Sequence, residues 1–292
     1  MPYSSVSYDV SGRIAYLTLN RPERLNAIND VMPGEIRSAA EEADRDDRVH
    51  VLVVQGAGRA FCAGYDLTDY AEGASTGIQE EMPWDPITDY RFMKRNTDDF
   101  MALWRCSKPT IAKVQGHAVA GGSDIALCTD LLVMADDARI GYPPARVWGC
   151  PTTAMWVYRL GPERAKRVLL TGDTIDGRTA ADWGLASSAV PAAELDEEVQ
   201  ALAARIAAVP RNQLAMQKLV VNGAVEAMGL AAAQTISTVF DGITRHSAEG
   251  FWFKRSAEQH GWHEAVEWRD SGRPIPDGAA ARTALREMED ET

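Results

Sequence analysis

Two strand-like runs open the chain, at 6–10 and 14–19. Ser11-Gly12 joins them, a pair suited to a tight turn, and the pattern predicts an antiparallel hairpin. A helical pattern over 29–44 follows. Its end is crowded with Glu41, Glu42, Asp44, Arg45, Asp46 and Asp47, which reads as a solvated face. The apolar run 49–55 predicts a short buried strand closed by Gly56-Ala57-Gly58. Residues 70–90 mix Gly, Pro and acidic side chains and predict a long loop or flap. A helix over 90–105 ends before Lys108-Pro109, because proline lacks the N–H that would continue it. Strands are expected at 110–114 and 131–135, the first leading into Gln115-Gly116-His117 and Gly121-Gly122.

Beyond Pro162 the periodicity is helical, at 163–170, 179–183, 194–208, 213–223 and 231–240. After Ser271 come Gly272, Pro274, Pro276, Gly278 and a charged stretch, a tail expected to fray. Paired strands followed by helices make the fold class α/β or α+β with a helical C-terminal part. Three regions are expected: a core at 1–195, a helical region at 196–270 and a flexible tail at 271–292.

Composition narrows the function. The 292 residues are 46% hydrophobic and 25% charged, ordinary for a globular protein. With 30 Lys and Arg against 42 Asp and Glu, the net charge of −12 argues against nucleic acid or anionic lipid as partner. An anionic small molecule in a locally basic pocket remains allowed. Cys62, Cys106, Cys128 and Cys150 form no CxxC pair and read as reduced thiols. No basic stretch leads an apolar one at the N-terminus, and no apolar run approaches the roughly 18 residues of a membrane span. The expectation is a soluble, cytoplasmic protein.

Two glycine-rich elements carry candidate chemistry: Gly58-Arg59-Ala60-Phe61-Cys62-Ala63-Gly64-Tyr65-Asp66-Leu67, and Gln115 to Ala126 with Gly121-Gly122 inside it. Each leaves a strand, and small residues let the backbone approach a ligand with its N–H groups free. A helix from Ser123 and Asp124 through Asp130 would add a positive dipole end. Two such places meeting in space would make an oxyanion hole. Each could also be a structural turn. Neither is a P-loop, since no Gly-Lys-Ser/Thr follows, and neither matches GxGxxG.

The chain resembles the crotonase (enoyl-CoA hydratase/isomerase) superfamily. The resemblance rests on Asn20-Arg21-Pro22-Glu23-Arg24-Leu25-Asn26-Ala27-Ile28-Asn29, on both glycine-rich elements, on 143–151, on Leu170-Thr171-Gly172-Asp173 and on Ala181-Asp182-Trp183-Gly184-Leu185. These stand in family order over about residues 10–190. It implies a spiral of ββα turns, a helical trimerisation region, and homotrimers or dimers of trimers. It also implies an acyl-CoA thioester substrate, with coenzyme A entering as part of it, no further cofactor and no metal. By position, the backbone N–H groups of Ala63 and Gly121 would hold the thioester oxygen. Arg24, Ala60, Ala63, Gly64, Asp66, Leu67 and Gly121 would line the CoA and substrate path, with Arg24 a phosphate contact.

The pattern breaks at the proton-transfer groups. Of the two glutamates used by family hydratases, the first falls on Asp124, one methylene shorter, which also suits a helix cap. The second falls on Pro144, which transfers no proton, and 145–155 contains no carboxylate. Replacements include Asp124 with a water, a flap carboxylate (Glu80, Glu81, Asp85 or Asp89), His117 or Cys62. Arg146 could pair with a carboxylate on an acyl group or another subunit. Trp252, Phe253, Trp262 and Trp268 could wall an acyl pocket or pack a subunit contact, and both 246–255 and 261–270 partly match the family's final helix. The leading expectation is an enoyl-CoA hydratase-like enzyme. The alternatives are an isomerase, hydrolase or decarboxylase on the same fold, or a non-catalytic acyl-CoA-binding protein.

Overall fold

The computed structural model of the protein describes residues 3–72 and 83–290. Strands β1 (Val6–Ser11) and β2 (Ile14–Leu19) form the expected hairpin, Val6 opposite Leu19 and Ser11 opposite Ile14. Helix α1 (Met32–Arg45) buries Ile36, Ala39, Ala40 and Ala43 and returns the chain to β3 (Val51–Gly56), parallel to β2. One π-helical turn at Thr68–Glu72 precedes α2 (Pro86–Arg105), which starts four residues earlier than the pattern suggested. The reason is local: Asp85 caps it by accepting the Ile87 and Thr88 N–H groups, and Pro86 takes the first turn.

Next come β4 (Thr110–Val114), β5 (His117–Val119), α3 (Gly121–Leu127), β6 (Leu131–Ala135) and β7 (Arg139–Gly141). Helix α3 is shorter than the stretch through Asp130 that the sequence suggested. Helix α4 (Met155–Thr171) starts earlier than expected and is broken at Gly161, whose φ of 73° and ψ of 170° leave the helical region ahead of Pro162. Strand β8 (Thr174–Asp176), α5 (Gly177–Asp182) and β9 (Ser188–Val190) complete the core.

Six strands form one sheet in the order β1-β2-β3-β4-β6-β9, parallel throughout except for the hairpin. A second sheet pairs β5-β7-β8. Single bridges from Cys62 to Ala118 and from Ile28 to Tyr65 extend it towards the loops after β3 and β2. Each of β2, β3, β4 and β6 is thus followed by a short segment in the second layer and then by a helix, the spiral of ββα turns. The central strands β3 and β4 are almost wholly buried, as expected where helices cover a parallel sheet. Leu17, Val53, Ile111 and Val133 meet Ile36, Phe100 and Leu103 in the main core.

The C-terminal region is α6 (Leu195–Ala207), α7 (Arg211–Ala227), α8 (Leu230–Arg245), α9 (Ala248–His260), α10 (Trp262–Asp270) and α11 (Gly278–Asp290). The tail expected to fray is instead the helix α11. Ala281 is buried, and Ala284, Leu285 and Met288 pack against the cluster of Trp252, Phe253 and Ala257. Their spacing of three and four residues makes one apolar stripe, which the flanking Gly and Pro obscured. Helices α7 and α8 expose Leu219, Val220, Val221 and Phe240, and the turn between them exposes Met228. Among the described residues no single helix is long and apolar enough to cross a membrane. The pair α7–α8 passes by composition and combined length, but is bent by 59°.

Candidate active site

The loop after β3, the start of α3 and the segment after β7 converge on a cavity of about 380 Å3. The first supplies Ala63, Tyr65 and Leu67, the second Ala120 and Gly121 with His117 and Val119 of β5, the third Tyr142, Pro143, Pro144 and Trp148. Phe92 and Met93 of α2, Asp241 and Arg245 of α8, and Trp262 and Val266 of α10 close it. Most of this wall is apolar, with a few polar groups facing in, as in small-molecule sites generally.

The early motif holds the first loop. Leu25 and Asn26 have φ of 52° and 56°, two successive side-chain-bearing residues in the left-handed region. Asn26 stabilises this turn. Its Nδ2 donates to the carbonyls of Ala57 and Ala60, both at 2.9 Å, and its Oδ1 accepts the Arg21 N–H at 2.9 Å. The turn aims the Leu25 carbonyl at Ala63, whose N–H donates to it at 3.1 Å. Gly121 begins α3 and its N–H has no acceptor among the described residues. A Cβ at Gly64 would lie 3.6 Å from the Gly121 nitrogen, so the Ala63-Gly64 backbone passes directly against it. The approach requires Gly122: a Cβ there would stand 2.3 Å from the Cys62 carbonyl oxygen.

Of the residues carried over from the resemblance, Ala63, Leu67 and Gly121 line the cavity; the other five do not. Arg24 is exposed, with Nη1 3.5 Å from Thr68 Oγ1. Asp66 pairs with Arg21 at 3.1 Å, Ala60 is buried with its carbonyl on Asn26, and the Gly64 carbonyl accepts the Ile28 N–H. Asp124 lies fully buried on α3 and accepts the Thr153 hydroxyl at 2.5 Å. Burial pushes its carboxyl up to about 7, against the pull of the Thr153 hydroxyl and with the negative charge of Asp241 adding to the rise.

The replacement groups separate clearly. Glu80 and Glu81 lie outside the described residues. Asp85 caps α2, whereas Asp89 reaches inward and receives Arg245 Nη2 at 2.6 Å. His117 lines the cavity. Burial pushes the Cys62 thiol up to about 12, which removes it as a nucleophile near neutrality. Arg146 is not available to a partner: the Thr171 carbonyl, Asp173 and Asp270 occupy it within the chain. Trp252 and Phe253 pack inside the molecule, Trp262 faces the cavity and Trp268 sits edge-on to Trp252.

Sequence reasoning missed Asp241 and Arg245. Asp241 accepts the Cys150 N–H on Oδ1 at 3.0 Å and Arg245 Nη1 on Oδ2, and Arg245 bridges it to Asp89. All three side chains are nearly inaccessible. Burial holds the Asp241 carboxyl above its usual range, although the Arg245 charge pulls it down. Asp and Arg four apart on a helix are ordinarily a surface pair, so the sequence held no signal for them.

The profile of the family described as Enoyl-CoA hydratase/isomerase matches residues 9–259. The crystal structure of an enoyl-CoA hydratase from Mycobacterium smegmatis is 47% identical, with a TM-score of 0.87 over 92% of this chain and 94% of that one. That of an enoyl-CoA hydratase/isomerase from Xanthobacter autotrophicus Py2 is 31% identical, with a TM-score of 0.84 over 93% and 99%.

Proposed function

This chain belongs to the enoyl-CoA hydratase/isomerase family of the crotonase superfamily, and on that premise we propose that it hydrates 2-enoyl-CoA thioesters. The observation that carries this reading is the unpartnered Gly121 N–H on the cavity wall, against the Ala63-Gly64 backbone. A thioester oxygen seated there accepts the Gly121 N–H and shares that of Ala63 with the Leu25 carbonyl. When water adds at the β-carbon, the double-bond electrons move onto the thioester oxygen. The Gly121 donor stabilises the developing charge, worth about 3 kcal/mol, and the Ala63 N–H adds a shared contact.

Asp124 lies behind the cavity wall, so in this scheme it gives the α-carbon its proton through a bound water, and a carboxyl with a pKa of about 7 populates both forms at neutral pH. Arg24 and the stretch from Ala60 to Leu67 receive the CoA arm, and coenzyme A is the only group required besides water. The exposed apolar face of α7 and α8 suits assembly into a homotrimer or dimer of trimers, in the cytoplasm. One observation favours a second reading, isomerisation. A single carboxylate that takes and returns one proton suffices to shift a double bond, and among the described residues Asp241 is the fully buried carboxylate on the cavity wall.

The test is turnover of short and long 2-enoyl-CoAs, followed as loss of conjugation absorbance. Asp124→Asn should lower kcat about a hundredfold. Unchanged turnover would remove Asp124 from the reaction. Gain of absorbance from 3-enoyl-CoA without hydration would establish the isomerase, and binding with no turnover would overturn the enzyme.

A further inference from the structure

The resemblance puts a glutamate where Pro144 stands, and the structure puts a carboxylate from a different element beside it. A Cβ on Gly149 would lie 3.0 Å from Pro144 Cβ and 3.6 Å from Asp241 Oδ1. Gly149 thus has Pro144 and the Asp241 carboxylate as neighbours on its side-chain side. Both Pro144 and Asp241 line the cavity that Ala63 and Gly121 line. We propose that Asp241, projecting from α8, is the catalytic residue that takes the proton from the attacking water, in place of the glutamate that Pro144 displaces. This rests on the hydratase reading above.

The surroundings fit a fixed base. The Cys150 peptide is held at both ends, its N–H by Asp241 Oδ1 at 3.0 Å and its carbonyl by the Tyr142 hydroxyl at 2.9 Å. Arg245 Nη1 holds Oδ2, so Oδ1 keeps one lone pair for a proton. Arg245 is in turn shared with Asp89, one cation between two buried carboxylates, leaving a net negative charge that favours proton uptake. Asp89 is packed against α8 so closely that a Cβ at Gly242 would stand 2.4 Å from its Oδ2. Asp89 and Arg245 are positioning residues and Asp241 is the group that reacts.

The step balances. The water oxygen bonds to the β-carbon as its proton passes to Asp241 Oδ1, and the double-bond electrons move to the thioester oxygen. The enolate then collapses as the α-carbon takes a proton that a water relays from Asp124. Asp241 has gained the proton that Asp124 lost, and exchange with solvent resets both. One water has been added.

The experiment compares wild type, Asp241→Asn and Asp241→Glu on 2-enoyl-CoA, alongside binding of the unreactive hexanoyl-CoA and thermal unfolding. Asp241→Glu keeps the charge against Arg245 and so keeps the fold if Asp241→Asn does not. We expect Asp241→Asn to lower kcat about a hundredfold and Asp241→Glu about tenfold. KM and the hexanoyl-CoA Kd should stay within about threefold, the split that marks loss of a transition-state contact. Full kcat in folded Asp241→Asn, or, where that variant does not fold, a pH profile of kcat in Asp241→Glu identical to that of wild type, would overturn the role of Asp241 and leave the hydratase reading intact. Wild type that binds hexanoyl-CoA but turns over no enoyl-CoA would overturn both.

Discussion

Asp124 ties the chemistry of single residues to stability. Its carboxyl sits about three units above the ordinary 3.8, because burial disfavours its charged form. In the folded protein it stays protonated to about pH 7, while the unfolded chain releases that proton near its ordinary value. Raising the pH from 4 towards 7 therefore favours the unfolded chain, and the loss ends once the folded form also ionises. Asp124→Asn should remove the slope. Between pH 5 and 7 the wild type is expected to lose about 2 kcal/mol relative to the variant, at about 1.36 kcal/mol per unit of pH until the folded form begins to ionise. Urea unfolding at the two pH values measures it, and parallel curves would show that Asp124 ionises normally. Gly121 on the cavity wall was legible in the sequence because a motif fixes it by spacing. Asp241 was not, because its place on that wall depends on what α8 packs against.

Among elements, α7 shows how the helical region is held to the core. Lys218 is buried, with Nζ 2.8 Å from Asp130 and 3.1 Å from the carbonyls of Leu103 and Lys108. Asn222, one turn on, donates to the Trp104 carbonyl at 2.9 Å. Removing one partner of such a pair leaves a buried charge uncompensated. Lys218→Met should therefore cost about 3 kcal/mol in chemical denaturation despite filling similar volume. A cost below about 0.5 kcal/mol would place the pair with ordinary surface ion pairs. Strands β4 and β6 match the bounds read from the sequence, since short apolar runs between breakers state their own limits. The early start of α2 and the docking of α11 were hidden, the one behind a polar cap and the other behind Gly and Pro.

At the scale of the whole molecule, the apolar residues of α7 and α8 face outward while those of the core strands face in. Val220 is 71% exposed and Leu219 68%, and Val221, Ile236, Val239 and Phe240 on the same two helices are exposed as well. Contiguous exposure of this kind marks an interaction surface. Light scattering is expected to return three or six copies of the 31.9 kDa chain. Placing Asp at both Leu219 and Val220 should shift the mass towards one copy. A monomeric wild type would refute the assembly. The net charge of −12 acts over the same surface. It repels an anionic substrate at long range, so attraction must come from fixed groups close to the cavity.

What the sequence determined by itself was local or written in spacing: the hairpin, the buried strands, the two glycine-rich elements and the family they belong to. Backbone sterics and alternating burial act over a few residues, so they survive in the linear order. Only the tertiary structure decided which carboxylates share the cavity. Asp89 and Arg245 are 156 residues apart yet in contact at 2.6 Å, and Pro144 and Asp241, from distant parts of the chain, both neighbour Gly149. Burial and neighbouring charge set the chemistry of an ionisable group, and both are properties of the packed molecule.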